Sequence, residues 1–360
     1  TSKDNSGVGA PDNVGRAVYM VDAETGTLKW SMAPESGTTS FAGTDSIPAS
    51  ISTLDSDADG FADRLYLGDT GGNVWRVDMP SDNPIGEEPW SVFKLASLGG
   101  NTNPTDRRFF NEASVVRTFI SQTIEEQITD DEGNTSNIII HQDIPYDAVL
   151  LGSGDRSNPL GKDTNDMFFM IKDKHIKTQT FDANSVPPIP SPVVLGGLFD
   201  ITANPIENAN DEDDLQKKKI DLSAASGWYF SLKQEGEKNT SSGIVINNTV
   251  YFTTFTPPSL DNNHEGCELP NGQGSLYGVD LAQGISKFNW KTDGDNDDKD
   301  REDRITFISE QFLGSPTLIV IPPNPNNAQS QAVGNLIVGR RMVQVGFRLQ
   351  TMRTYLYVTE

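Results

Sequence analysis

A tyrosine, an aspartate three residues on, a glycine four beyond it and a closing tryptophan appear at Tyr19, Asp22, Gly26 and Trp30. The same order returns at Tyr277, Asp280, Gly284 and Trp290, with identical spacing from Tyr to Asp to Gly. A looser copy runs through Tyr66, Asp69, Gly71, Gly72 and Trp75. Each copy reads as strand, Asx-type turn and strand, because Asp folds its carboxylate onto nearby amides and Gly supplies the positive φ that closes the turn. One hairpin cannot bury its own faces, so repeated hairpins must stack into a shared core, as blades of a β-propeller do. The fold expected is therefore all-β, with residues 1–360 forming a single propeller domain. Trp30, Trp75 and Trp290 are read as structural wedges between neighbouring sheets, in preference to cofactor-stacking groups.

Between two such strands lies Asp55-Ser56-Asp57-Ala58-Asp59-Gly60-Phe61-Ala62-Asp63. Acids at positions 1, 3, 5 and 9 with glycine at position 6 match the calcium loop of an EF-hand, where position 7 adds a main-chain carbonyl. The expected ligands are Asp55, Asp57, Asp59, the Phe61 carbonyl and Asp63, and the expected ion is Ca2+. Hard oxygens in this number suit calcium better than zinc or magnesium. Position 12 is Tyr66, so the bidentate glutamate of a helical EF-hand is missing, and the flanks (Ile51–Leu54 and Leu65–Leu67) read as strands. The alternative is a solvated acidic hairpin; four acids in register with the glycine favour the metal.

The remaining chain fits short strands. Alternating runs from Val115 to Ile128 and from Ile138 to Leu151 form a long hairpin, and Met167–Ile171, Gly227–Leu232, Gly243–Ile246, Thr249–Phe255, Thr317–Val320, Leu336–Gly339 and Tyr355–Val358 follow as strands. Residues 1–14 read as a polar tail, and residues 186–192 as a Pro-rich link. Asp211–Lys219, acids first and bases after, reads as a short surface helix.

Charge narrows the partners. With 51 Asp+Glu against 28 Lys+Arg, the formal net charge is −23, a field that repels nucleic acid and anionic membranes and attracts cations. No apolar run approaches the ~18 residues of a membrane span. Cys267 is the single cysteine, so no internal disulfide can form; beside His264 it reads as an ordinary packed or surface thiol, not a nucleophile. Gly152-Ser153-Gly154 lacks the spacing of a phosphate loop. A second acidic run, Asp293–Asp303, has Asp298 where glycine belongs and Arg301 where a ligand belongs, and reads as a solvated loop in preference to a second calcium site. The chain starts at Thr1 without a leader, which reads as a processed product or an excised domain.

The block Asp-x-Asp-x-Asp-Gly-x-x-Asp-Arg-Leu-Tyr-x-Gly-Asp-x-x-Gly-x-x-Trp-Arg-x-Asp from Asp55 to Asp78 resembles the C-terminal domain of the PilY family, type IV pilus biogenesis factors and tip adhesins. Gly152–Arg156 with Asp163–Phe168, Tyr277 with Asp280, and Gly314-Ser315-Pro316 fit the same family. The resemblance implies a modified seven-bladed propeller, similar in outline to quinoprotein dehydrogenases, with one calcium in the Asp55–Asp63 loop. It further implies a missing N-terminal region and a place at the pilus tip or outer-membrane surface of a Gram-negative bacterium. Partners would be minor pilins of the tip complex and a host or abiotic surface. The implied activity is not enzymatic: support of pilus assembly, adhesion and twitching motility, and opposition to retraction when calcium is bound.

The rival reading is a dehydrogenase using pyrroloquinoline quinone and calcium. Asp22–Trp30 matches the docking repeat of that superfamily, but only one clean copy is present, and the adjacent-cysteine disulfide that caps the cofactor in many members cannot form. A lectin-like propeller with a structural calcium is a third reading.

Overall fold

In the computed structural model, residues 8–129, 135–182, 184–258, 271–290, 301–322 and 332–349 are described. Among the described residues, β-branched and aromatic runs separated by Asp, Asn and Gly turns give 21 strands in five sheets. The first sheet holds β1 (Val18–Val21), β2 (Leu28–Ala33) and β3 (Thr39–Ser40). The second is a meander of β4 (Ser52–Leu54), β5 (Arg64–Gly68), β6 (Asn73–Asp78) and β7 (Ser91–Ser97). The third runs through β8 (Ser114–Thr129), β9 (Thr135–Gly152), β10 (Met167–Asp173) and β13 (Gly227–Ser231). Two-residue strands finish all three of these sheets in parallel: β3 beside β2, β11 (Val193–Val194) beside β7, and β12 (Phe199–Asp200) beside β13. The fourth contains β14 (Lys238–Asn239), β15 (Ile244–Ile246), β16 (Thr249–Thr256), β17 (Gln273–Asp280) and β18 (Ile305–Ser309). The fifth contains β19 (Thr317–Ile321), β20 (Ala332–Val338) and β21 (Arg341–Leu349).

These are sequence-local antiparallel meanders, the unit of a blade, and the β-rich expectation holds. The count of seven does not follow from the described residues: they form five sheets, and none closes on itself. The expected strand at Tyr355–Val358, the acidic stretch from Asp293 to Asp300, and His264 with Cys267 lie outside the described residues.

The repeated turn has one geometry. Asp22 and Asp280 each accept the amide of the glycine four residues on, both at 2.8 Å, with φ of 68° at Gly26 and 65° at Gly284. Their side chains take the amides of Thr25 and Gln283, both at 2.8 Å. Lys29 and Lys287 then pair with the second carboxylate oxygens, and that of Asp280 also accepts the Asn248 side-chain amide. The tryptophans behave as wedges: Trp30 is buried against Leu65, Leu67 and Trp75 of the second sheet, and Trp290 stacks on Phe288 at 4.6 Å. Between the third and fourth sheets, Phe168, Phe252 and Tyr277 stack face to face at 3.8 and 4.9 Å, an area of aromatic burial that dominates such a core.

The one α-helix among the described residues, α1 (Glu212–Ala224), extends five residues past the expected surface segment. Asp211 caps it by accepting the Asp214 amide at 2.8 Å, with three acids in the first turn. Its C-terminus is held by Lys172, whose buried ammonium donates to the carbonyls of Leu222, Ser223 and Ala225 at 2.8–3.1 Å. That contact satisfies carbonyls the helix itself cannot.

Candidate metal centre

The Asp55–Asp63 segment is the connection of the β4–β5 hairpin. Leu54 and Arg64 form the last register pair, and the Asp63 amide returns to the Leu54 carbonyl at 2.8 Å. The Asp63 carbonyl in turn accepts the Met79 amide at 2.8 Å, fastening the loop to the end of β6. Within it, carboxylates gather the loop's own amides. Asp55 takes Ala58 at 2.7 Å through Oδ1 and Gly60 at 2.9 Å through Oδ2. Asp57 takes Asp59 at 3.2 Å, and Asp59 takes Phe61 at 2.8 Å. Asp63 Oδ2 receives both the amide and the hydroxyl of Ser56, at 2.6 and 2.5 Å. Gly60 sits at φ 93° with open space where a Cβ would be, so its requirement is torsional and not steric. Ala58 also adopts a left-handed φ of 64°.

This wrapping brings together one carboxylate oxygen each from Asp55, Asp57 and Asp63, all within 4.8 Å of one another. Oxygens 2.3–2.6 Å from a shared calcium span at most about that distance, so the three fit a common ion of this size. Asp59 lies outside the group. Phe61 holds its ring in solvent and can offer only its main-chain carbonyl. Among the described residues none of the four acids has a salt bridge, and no cysteine or histidine accompanies them, so the donor set is one of hard oxygens.

Beneath the loop lies an ionic layer that spacing in the sequence did not point to. Arg64, buried at the start of β5, donates to Asp147 of β9 at 2.6 Å, to Thr178 Oγ1 at 2.9 Å and to the Ile176 carbonyl. Arg76 of β6, also buried, pairs with Asp78 at 2.6 Å and Asp173 at 2.7 Å and donates to the carbonyls of His175 and Lys177. The Tyr66 hydroxyl completes the cluster on Asp173 at 2.9 Å; burial and the Asp173 charge push its pKa well above the phenol range. Two guanidiniums thus hold three consecutive carbonyls of the strand-like strap that joins β10 to the Pro-rich link. Arg117 of β8 joins the loop to this layer: it donates to the Ser56 carbonyl at 2.8 Å and to Asp147 at 3.0 and 3.3 Å. Arg64, Arg76 and Asp78 stand in the Asp55–Asp78 block, but the other two acids of the cluster, Asp147 and Asp173, come from strands 83 and 97 residues from the arginines they meet.

A polar cavity of about 370 Å³ lies at the other end of the second sheet, lined by Asp12, Asp45, Thr70, Asn73, Asp106 and Arg108 among others. Its side chains satisfy one another: Asp12 takes the Thr70 hydroxyl at 2.5 Å, Asn73 donates to Asp69, and Arg108 pairs with Asp106 at 2.6 Å. Asp69, beneath it, is desolvated and pushed up to about 6 even though Trp75 and Asn73 donate to it. Trp30 directs its indole N–H to Thr39 at 2.9 Å, so the Asp22–Trp30 repeat is engaged within its own sheet.

No protein-family model matches the chain. Among curated proteins, it is 23% identical over 244 residues to a type IV pilus biogenesis factor PilY1 homolog of Xylella fastidiosa. That match takes in 65% of the chain and 14% of the length of the relative. Among solved structures, it is similar to the crystal structure of the Pseudomonas aeruginosa PilY1 C-terminal domain, with a TM-score of 0.53 and 16% identity. That likeness covers 91% of the chain and 66% of the solved one, and concerns the fold. In sequence the chain is thus similar to a PilY1 homolog, and in fold to the PilY1 C-terminal domain. The resemblance carried by the Asp55–Asp78 block is borne out. The sheet that carries this block is also the one that positions Asp55, Asp57 and Asp63.

Proposed function

We propose that this chain is the C-terminal module of a type IV pilus biogenesis factor, a non-enzymatic β-propeller that binds one calcium ion in its Asp55–Asp63 loop. Asp55, Asp57 and Asp63 supply the inner oxygens. Asp59 and the Phe61 carbonyl complete the set when the loop closes on the ion. The observation that carries this reading is the convergence of three carboxylates within 4.8 Å, without a salt bridge among the described residues, in a block whose sequence resembles the PilY family. Charges of one sign so close repel each other, and an added divalent cation removes that cost and orders the loop. In this reading the module works at the cell surface or pilus tip with minor pilins, supports adhesion to a host or abiotic surface and twitching motility, and opposes retraction in its calcium-bound form. Completion of the propeller to seven blades belongs to the same proposal.

The test is calorimetric titration of calcium into metal-stripped protein, with Asp63→Ala as comparison. One saturable site, lost in the variant, is the expected result. Absence of heat in the wild type would remove the metal. Twitching zones of a strain carrying Asp63→Ala in the full-length protein then test the step from ion to pilus, expected to shrink or to lose their calcium response.

A further inference from the structure

β8 and β9 are much longer than the sheet that contains them. β9 pairs with β10 only between Asp147 and Gly152, and β8 is the edge strand. From Thr118 opposite Tyr146 to Thr129 opposite Thr135, the two therefore continue as a ribbon with no third strand. Two-stranded ribbons are marginal in water and depend on what holds them. The pair at the root of this one is Arg117 opposite Asp147.

Arg117 is also the contact to the metal loop. Its Nη1 holds the carbonyl of Ser56, the residue between Asp55 and Asp57, while Nε and Nη2 hold Asp147. Ser56 faces the other way with its amide and hydroxyl, both on Asp63 Oδ2. A second route closes the ring: Asp147 accepts Arg64, Arg64 donates to Thr178, and the Thr178 and Ser56 hydroxyls lie 3.4 Å apart. One residue, Ser56, is thus clamped between a carboxylate of the cation site on one side and the ribbon root on the other.

We propose that Arg117 is a positioning residue that couples cation occupancy of the Asp55–Asp63 loop to the order of the β8–β9 ribbon. The inference rests on the metal reading above. When the ion fixes Asp63, it fixes the Ser56 peptide, and the guanidinium is held at both ends; when the loop loosens, the root keeps only its contact to Asp147. The ribbon is then the moving part that reports calcium to whatever the protein meets.

Hydrogen exchange of the whole chain, in calcium chloride and in chelator, tests this on peptides covering 118–129 and 135–146, with calorimetry run in parallel. With calcium at roughly 100 times its Kd, ribbon exchange in the wild type is expected to slow about tenfold or more, because an opening that releases the ion is opposed by mass action. Arg117→Met, at a partly exposed side chain, should still bind calcium but lose most of that slowing. Asp57→Ala should lose calcium and slowing together, with ribbon exchange in chelator unchanged. Ribbon exchange indifferent to calcium in a wild type that binds it would overturn the coupling and leave the metal reading standing. So would a full response in Arg117→Met. No calcium binding by the wild type would remove both.

Discussion

Two sets of carboxylates lie about the β4–β6 meander, one shared with β9 and β10 of the third sheet and one in the β4–β5 loop, and they meet opposite fates. Asp78, Asp147 and Asp173 are fully buried, and each touches a guanidinium of Arg64, Arg76 or Arg117. Asp55, Asp57 and Asp63, a few residues along the chain from Arg64, face one another at the surface and accept only amides and a hydroxyl. Buried charge is tolerable only when paired, so the first set is balanced within the fold and holds sheets together. The second set is organised by hydrogen bonds that orient its oxygens without cancelling their charge. What separates the two sets is the presence of the protein's own cation, not acidity or spacing.

Removing a cation from the first set should have the largest effect. Arg76→Met leaves Asp78 and Asp173 buried without their partner, a situation that costs about 3–5 kcal/mol. Denaturant unfolding is expected to show that loss with and without calcium alike; a loss below about 1 kcal/mol would break the distinction, since the cluster would then be no more than a surface pair. In the second set the effect should be smaller and conditional on the ion. Asp57→Asn removes one charge from the exposed loop, and its stability in chelator should stay within about 0.5 kcal/mol of wild type. Calcium at roughly 100 times its Kd should add about 2.7 kcal/mol to the wild type by mass action and almost nothing to the variant. Melting curves in calcium and in chelator compare the four states directly.

The legible part of the molecule is what depends on neighbours in sequence. The Asp22 and Asp280 turns could be read because Asx geometry and a left-handed glycine lie within four residues of each other. The convergence of Asp55, Asp57 and Asp63 could be read because acids at alternate positions of one short loop can gather on one side of it. That same local rule named Asp59, which in the structure folds onto the Phe61 amide and lies outside the converging three. Arg64 and Asp147, 83 residues apart, and Arg76 and Asp173, 97 apart, meet only because two sheets pack, and no periodicity announces such a meeting. The same holds for β11, a two-residue strand that pairs with β7 almost a hundred residues earlier in the chain. The number of blades is a property of closure, and closure is not written in any one hairpin.

The finest form of the comparison is within the repeated turn. Asp22 and Asp69 both sit at a hairpin turn and both accept nearby amides, yet their protons should bind very differently. Asp22 is in solvent, where the amide and hydroxyl of Thr25 and the Lys29 ammonium lower it to about 2. Asp69 lies beneath Trp75, where burial outweighs the indole and Asn73 donors and raises it to about 6. The signs for stability are opposite. A carboxyl held below its ordinary value near 3.8 favours the folded state at any pH above that value, and the contribution is lost as pH falls toward 2. A carboxyl held above it binds its proton more tightly folded than unfolded, so its contribution grows as pH falls from about 6 toward 3.8 and is absent at neutral pH. Carboxylate carbon shifts followed by NMR from pH 7.5 to 2 would resolve the two midpoints. If Asp69 titrates near Asp22, the amide and indole donors outweigh desolvation, and burial by itself is not what divides the acids of this sheet; its neighbouring arginines are.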